Sequence, residues 1–223
     1  MKTADLIHHL TQDVQPVRPL RHPWRRALLW ATASAIYLYG FVVLMSPGAL
    51  WSSGLSDVRF IVEQMAAIAV GVVAAAAAVG TVVPGRSHRT VAVAIAVAAA
   101  WAVIVVAGSF QDVLRMGTAG LGVRNDWPCV LAIVTAAAAP AVALALTLRG
   151  GAPLTPRMTL ALVGLSAAAL ANVGACLLRV HDTSLTVLVW HGATVLAAAV
   201  VAGALGTSVL KWRLPSYPES ADA

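Results

Sequence analysis

Charge is scarce in this chain. Of its 223 residues only 11% are Asp, Glu, Lys or Arg, 60% are hydrophobic, and the mean hydropathy is +0.83. A water-soluble domain does not carry that balance. The two cysteines are too few for a disulfide scaffold, although enough for one bridge or a thiol pair. The sequence has no Cys-x-x-Cys, no His-Glu-x-x-His and no phosphate-binding loop, and no Ser–His–Asp arrangement can be placed on it. No catalytic constellation stands out, so an enzyme is not expected. Nor is a cleavable leader: its basic segment would be too long, and the first apolar run is followed by further spans. The net charge of +6 and pI of about 10.2 could suggest nucleic acid. The basic residues, however, sit at the ends of apolar runs and form no patch, so topology explains them better and no direct nucleic-acid contact is expected.

What the chain does have is membrane-spanning sequence. Six apolar stretches, at residues 27–45, 60–83, 91–108, 128–148, 158–178 and 185–210, are long enough or nearly so to cross a bilayer. Short hydrophilic connections join them. If the N-terminus is cytoplasmic, 11 of the 15 Lys and Arg fall inside, and only Arg59, Arg115, Arg124 and Arg179 fall outside. This positive-inside bias predicts that both termini are cytoplasmic. The spans are rich in Ala and Gly, as in the run 74–78 and at Gly203 and Gly206, so close helix packing is expected. The fold class is therefore an all-α membrane protein, a six-transmembrane-helix bundle preceded by a short cytoplasmic amphipathic helix. It divides into a tail at 1–26, a bundle at 27–210 and a C-terminal tail at 211–223. Pro140 is expected to kink the fourth span, and the stretch 111–126, with Gly117, Gly120 and Gly122, reads as a flexible loop.

The first 26 residues are the one stretch polar enough to work in water. From Thr3 to Val14 the apolar residues Leu6, Ile7, Leu10 and Val14 fall within one quadrant of a helix, opposite Asp5, His8, His9, Gln12 and Asp13. Thr3 is the expected N-cap and Pro16 ends the pattern. So short a helix orders only against a partner. The candidates are a protein groove and a lipid surface; a purely topogenic tail is the bland alternative. Lipid-surface helices usually carry many basic residues, and this one has Lys2 alone.

Inside the membrane, polar groups gather toward the predicted outer side. Cys129 lies three residues after Asp126, and Cys176 lies three before Arg179. Their spans are joined by the short connection from Arg149 to Arg157, so the two thiols could face each other; alternatively, each is a small buried packing residue. Asn172, one turn before Cys176, and His191, in the last span, have matched depths and are expected to meet, at least as a structural polar contact. Glu63 is expected to snorkel or to pair with Arg59. Cys129, Cys176, His181 and His191 could together offer two sulfurs and two nitrogens to a soft divalent ion, although their spacing matches no standard zinc pattern.

Several segments resemble the NrsF family of membrane anti-sigma factors. They are the opening Met-Lys-Thr-Ala-Asp-Leu-Ile, Arg25-Arg26, Pro84-Gly85, Trp127-Pro128-Cys129, Gly151-Ala152-Pro153, and above all Cys176 followed by His181, Asp182 and Val189-Trp190-His191-Gly192. The resemblance continues from Gly203 to Trp212 and covers nearly the whole chain. Two departures are Leu177-Leu178, where the family pattern has Pro and an acidic residue, and Glu63-Gln64, where it has a basic one. The resemblance implies a bacterial inner-membrane protein that holds an extracytoplasmic-function sigma factor. In such a protein Cys129 and Cys176 would sense heavy-metal or oxidative stress. The tail residues Leu6, Ile7, Leu10 and Val14 would then be the sigma contact. The competing reading is a small membrane redox enzyme or transporter built on the same Cys/His cluster. The missing Cys-x-x-Cys and the lack of internal symmetry weigh against it.

Overall fold

The computed structural model describes residues 3–11, 22–46, 57–83, 89–117, 125–151, 154–178 and 184–210. Among the described residues every regular element is helical. A short helix, α1 (Thr3–Thr11), precedes five long ones: α2 (Pro23–Met45), α3 (Val58–Thr81), α4 (Arg89–Met116), α5 (Trp127–Leu148) and α6 (Pro156–Leu178). The last span is composite. A turn α7 (Ser184–Thr186) leads into a π-helical segment, Val187–Gly192, and then α8 (Ala193–Ala204) and the short α9 (Gly206–Val209). Six of these helical runs, the sixth being Val187–Ala204, are long and apolar enough to cross a membrane.

The helix starts follow from local chemistry. Pro23 and Pro128 stand in the first turn of α2 and α5, where a missing N–H costs nothing. Asp57 caps α3, its carboxylate accepting from the Arg59 backbone N–H at 2.9 Å. In the tail, Thr3 is itself helical and not the cap, and residues 1–2 lie outside the described residues. Residues 12–21 lie outside the described residues, and Val14 with them.

The third span overruns its expected end. Residues 111–116, read from sequence as the start of a loop, continue α4 as helix. Asp112 is buried there and pairs through both carboxylate oxygens with the Arg59 guanidinium, the Nη2–Oδ2 distance being 3.0 Å. Arg59 Nε also lies 3.3 Å from Glu63, so one cation serves two buried carboxylates and polar sequence can stay helical. Gly117, at φ +61°, ends the run with the left-handed turn that glycine adopts without strain.

The sixth element, α6, is the hub. Within its apolar window 78% of the residues are buried, against 28% for α2 and for α4, and it packs on α2, α3, α5 and α8. The approach depends on small residues. A Cβ on Gly164 would lie 2.5 Å from the Ala198 carbonyl oxygen, so α6 and α8 touch backbone to backbone. On the α3 side, Ser166 Oγ donates to the Gly71 carbonyl at 2.6 Å and Thr81 meets Thr159 at 2.8 Å. The five-alanine run 74–78 is wholly buried. Helix α5 runs continuously through Pro140, whose carbonyl accepts from Trp30 Nε1 at 3.0 Å and so ties α2 to α5. One turn nearer the start of α2, the Arg26 guanidinium donates to the Thr147 carbonyl at 3.0 Å.

Candidate functional site

At the end of the bundle where α5 begins, the structure closes a polar cluster around His191. The ring comes from the π-helical turn, which adds about one residue per turn to the helical register and often marks functional positions. His191 Nδ1 lies 2.8 Å from Asn172 Oδ1 and 3.4 Å from Cys176 Sγ, both on α6. Its Nε2 lies 3.2 Å from Asp126 Oδ2, at the head of α5. Cys129 joins from the first turn of α5: one ligand atom each from Asp126, Cys129 and His191 falls within 4.8 Å of the others. All five side chains are sealed from solvent, none more than 3% exposed.

Local structure explains why these groups converge. Asp126 occupies the N-cap position of α5, yet its carboxylate makes no cap bond. Its backbone carbonyl accepts from Cys129 N–H at 3.0 Å, and its side chain turns to His191. The three-residue step from Asp126 to Cys129 puts both on one face of the helix start, and the four-residue step from Asn172 to Cys176 does the same on α6.

The expected Asn172–His191 contact is present. Glu63 is buried and paired with Arg59, not snorkelling. Cys129 and Cys176 are both buried and are not joined in a disulfide. Both lie near His191, Cys176 Sγ at 3.4 Å from Nδ1 and Cys129 Sγ within 4.8 Å of a ring nitrogen. His181 lies outside the described residues. Sequence reasoning missed Asp126, which reads as an interfacial residue just ahead of a span; its three-residue spacing to Cys129, which puts both on one helix face, is the signal that could have found it. In the tail, Ile7 is exposed on α1, and the side chains of Leu6 and Leu10, like Val14, fall outside the described residues.

Chemically, two thiols, an imidazole and a carboxylate can ligate a borderline-soft cation. A thiol beside a ring nitrogen whose other nitrogen meets a carboxylate is also the pattern of a reactive cysteine. A concavity lies beside the cluster. Helices α5 and α8 flank a groove of about 720 Å³ that runs from Trp127 and Trp190 to Leu205, with Gly164 and Ala167 of α6 at its floor.

These features define a polytopic helical membrane protein with a buried thiol–imidazole–carboxylate centre at one end of its bundle. The family model described as negative regulator of sigma F, NrsF, matches residues 10–212, most of the chain. The protein belongs to the NrsF family and is a negative regulator of a sigma factor. Comparison with curated proteins and with solved structures gave no match.

Proposed function

We propose that this protein is an inner-membrane anti-sigma factor that captures an extracytoplasmic-function sigma factor with its cytoplasmic tail and releases it on a signal received at the outer end of the bundle. Family membership supplies the sigma factor. The observation that carries the rest is the separation of two polar devices. Helix α1 precedes the first span, and the Asp126–Cys129–Cys176–His191 cluster is sealed inside the bundle. The excess of Lys and Arg in the tail and in the connections near Arg86 and Arg149 supports a cytoplasmic tail and an external cluster.

The tail would bind by laying Leu6, Ile7, Leu10 and Val14 on a sigma surface needed for RNA polymerase. Burying four such side chains contributes about 6–12 kcal/mol gross, from about 1.5–3 kcal/mol each. Helix ordering and association consume much of that, so the tail binds modestly on its own. At the other end, heavy metal or oxidant acting on Cys129 and Cys176 would alter how α5 and α6 pack. The test is co-purification of the sigma factor with full-length protein. Leu6→Asp/Leu10→Asp is expected to abolish capture while membrane insertion is unchanged; wild-type recovery by that variant would assign the contact to the inner connections.

A further inference from the structure

We infer that Asp126, Cys129 and His191 form a binding site for one divalent cation of the zinc class, with Asn172 as the outer partner that orients His191, and with Cys176 behind the imidazole instead of on the metal. This deepens the sensor reading by naming the ligand of the outer cluster. It stands or falls independently of sigma capture.

The argument begins with the imidazole. Its Nδ1 faces the Asn172 amide oxygen at 2.8 Å, and its Nε2 faces an Asp126 carboxylate oxygen at 3.2 Å. Both neighbours are acceptors, and a neutral imidazole has a single N–H. With that proton on Nδ1, donated to Asn172, the Nε2 lone pair confronts the carboxylate across a gap that suits a cation. Zinc bonds of about 2.0–2.2 Å to nitrogen and oxygen set a tetrahedral ligand–ligand edge of about 3.4 Å. The observed 3.2 Å is close to that edge. Cys129 completes three protein ligands, all within 4.8 Å of each other, so closure by roughly 1 Å brings the thiolate into the same tetrahedron. The fourth position is left for water or a further donor, as in sites that exchange their ion.

The second shell fits the same reading. A metal-bound histidine almost always donates its other N–H to an oxygen, and Asn172, wholly buried, supplies that oxygen here. Cys176 Sγ stands 3.4 Å from Nδ1, on the ring edge turned away from Asp126, which removes it from the coordination sphere.

The site also has mechanical leverage. Asp126 and Cys129 belong to the start of α5, and His191 to the sixth span. Farther down, these two helices flank the apolar groove. One ion would fasten the mouth of that groove.

The experiment uses the full chain, reduced and purified in detergent without sigma factor, titrated with cobalt(II) and then with cadmium(II). Wild type is expected to bind about one cobalt per chain, with a thiolate-to-cobalt charge-transfer band and tetrahedral d–d bands, and to melt at higher temperature when loaded. Cys129→Ser is expected to lose the charge-transfer band. Asp126→Asn and His191→Gln, near-isosteric changes checked for native helix content, are expected to lose stoichiometric binding. Asn172→Ala should weaken affinity about 10–100-fold, while Cys176→Ala keeps the band. An imidazolium–carboxylate pair, or an inverted Asn172 amide, would satisfy the cluster without metal; wild type that binds no cobalt at stoichiometric concentration would show this and overturn the site. Loss of the band in Cys176→Ala would overturn the ligand set by placing the ion between the two thiols. Wild-type affinity in both Asp126→Asn and His191→Gln would also overturn it.

Discussion

Gly164→Ala is a sharp perturbation of the fold, because the added atom meets backbone. An ideal Cβ there would sit 2.5 Å from the Ala198 carbonyl oxygen and 2.7 Å from Ala202 Cβ. Ordinary contact begins near 3.4 Å, so the shortfall against the carbonyl is 0.9 Å. No rotamer relieves a carbonyl on a packed helix. The α6 and α8 axes must separate, and α6 also packs on α2, α3 and α5. Overpacking of this kind costs about 3 kcal/mol at the upper end of its usual range. Replacing glycine by alanine inside a helix returns about 1 kcal/mol, so the expected net loss is about 2 kcal/mol. Gly40→Ala is the internal control: nothing lies within 4 Å of its Cβ, so the propensity gain stands alone and stability should rise by up to about 1 kcal/mol. Gly71→Ala falls between, since the nearest atoms, 2.7 Å away, belong to the Leu170 side chain, and the nearest backbone atom, the Ser166 carbonyl oxygen, is 3.3 Å away. Reversible unfolding of the three variants in mixed micelles, followed by circular dichroism, gives the ranking. If Gly164→Ala unfolds within about 0.5 kcal/mol of wild type, the backbone contact between α6 and α8 is not the seam described.

Three further outcomes are expected. Asp112→Asn should destabilise the protein by about 1–3 kcal/mol, below the cost for a fully buried pair because Arg59 keeps part of its solvent exposure. A double-mutant cycle with Arg59→Met should give a clear coupling, and strict additivity would refute the pairing of α3 with α4. Ser166→Ala removes only the 2.6 Å bond to the Gly71 carbonyl, so a loss near 0.6 kcal/mol, at most about 1.7, is expected in the same unfolding assay. In cells, disabling the tail with Leu6→Asp/Leu10→Asp should leave sigma-dependent transcription high without inducer; a reporter still repressed to wild-type level would count against the tail as the contact.

The spans could be read in the sequence because lipid imposes a one-dimensional rule: about 20 apolar residues with every backbone group bonded within the helix. That rule needs no knowledge of neighbours, and it placed the ends of α2, α5 and α6 within a few residues. It failed at residues 111–116. Whether Gln111, Asp112 and Arg115 form loop or helix depends on Arg59, which is 53 residues from Asp112 in sequence and a salt-bridge partner only after α3 and α4 pack. The meeting of Asn172 with His191 could also be anticipated, since equal depth in antiparallel helices follows from residue counting. Rotation about the helix axis does not. The π-helical turn decides which way His191 faces, and it turns Nε2 toward an Asp126 side chain that has left its capping role. The surroundings of the thiols depend on the same packing: Cys176 Sγ lies 3.4 Å from His191 Nδ1, and Cys129 Sγ lies within 4.8 Å of the Asp126 and His191 ligand atoms. Hydrophobic length is a property of each segment alone, whereas the coordination of a buried polar group is set by three helices at once, and only their packing decides it.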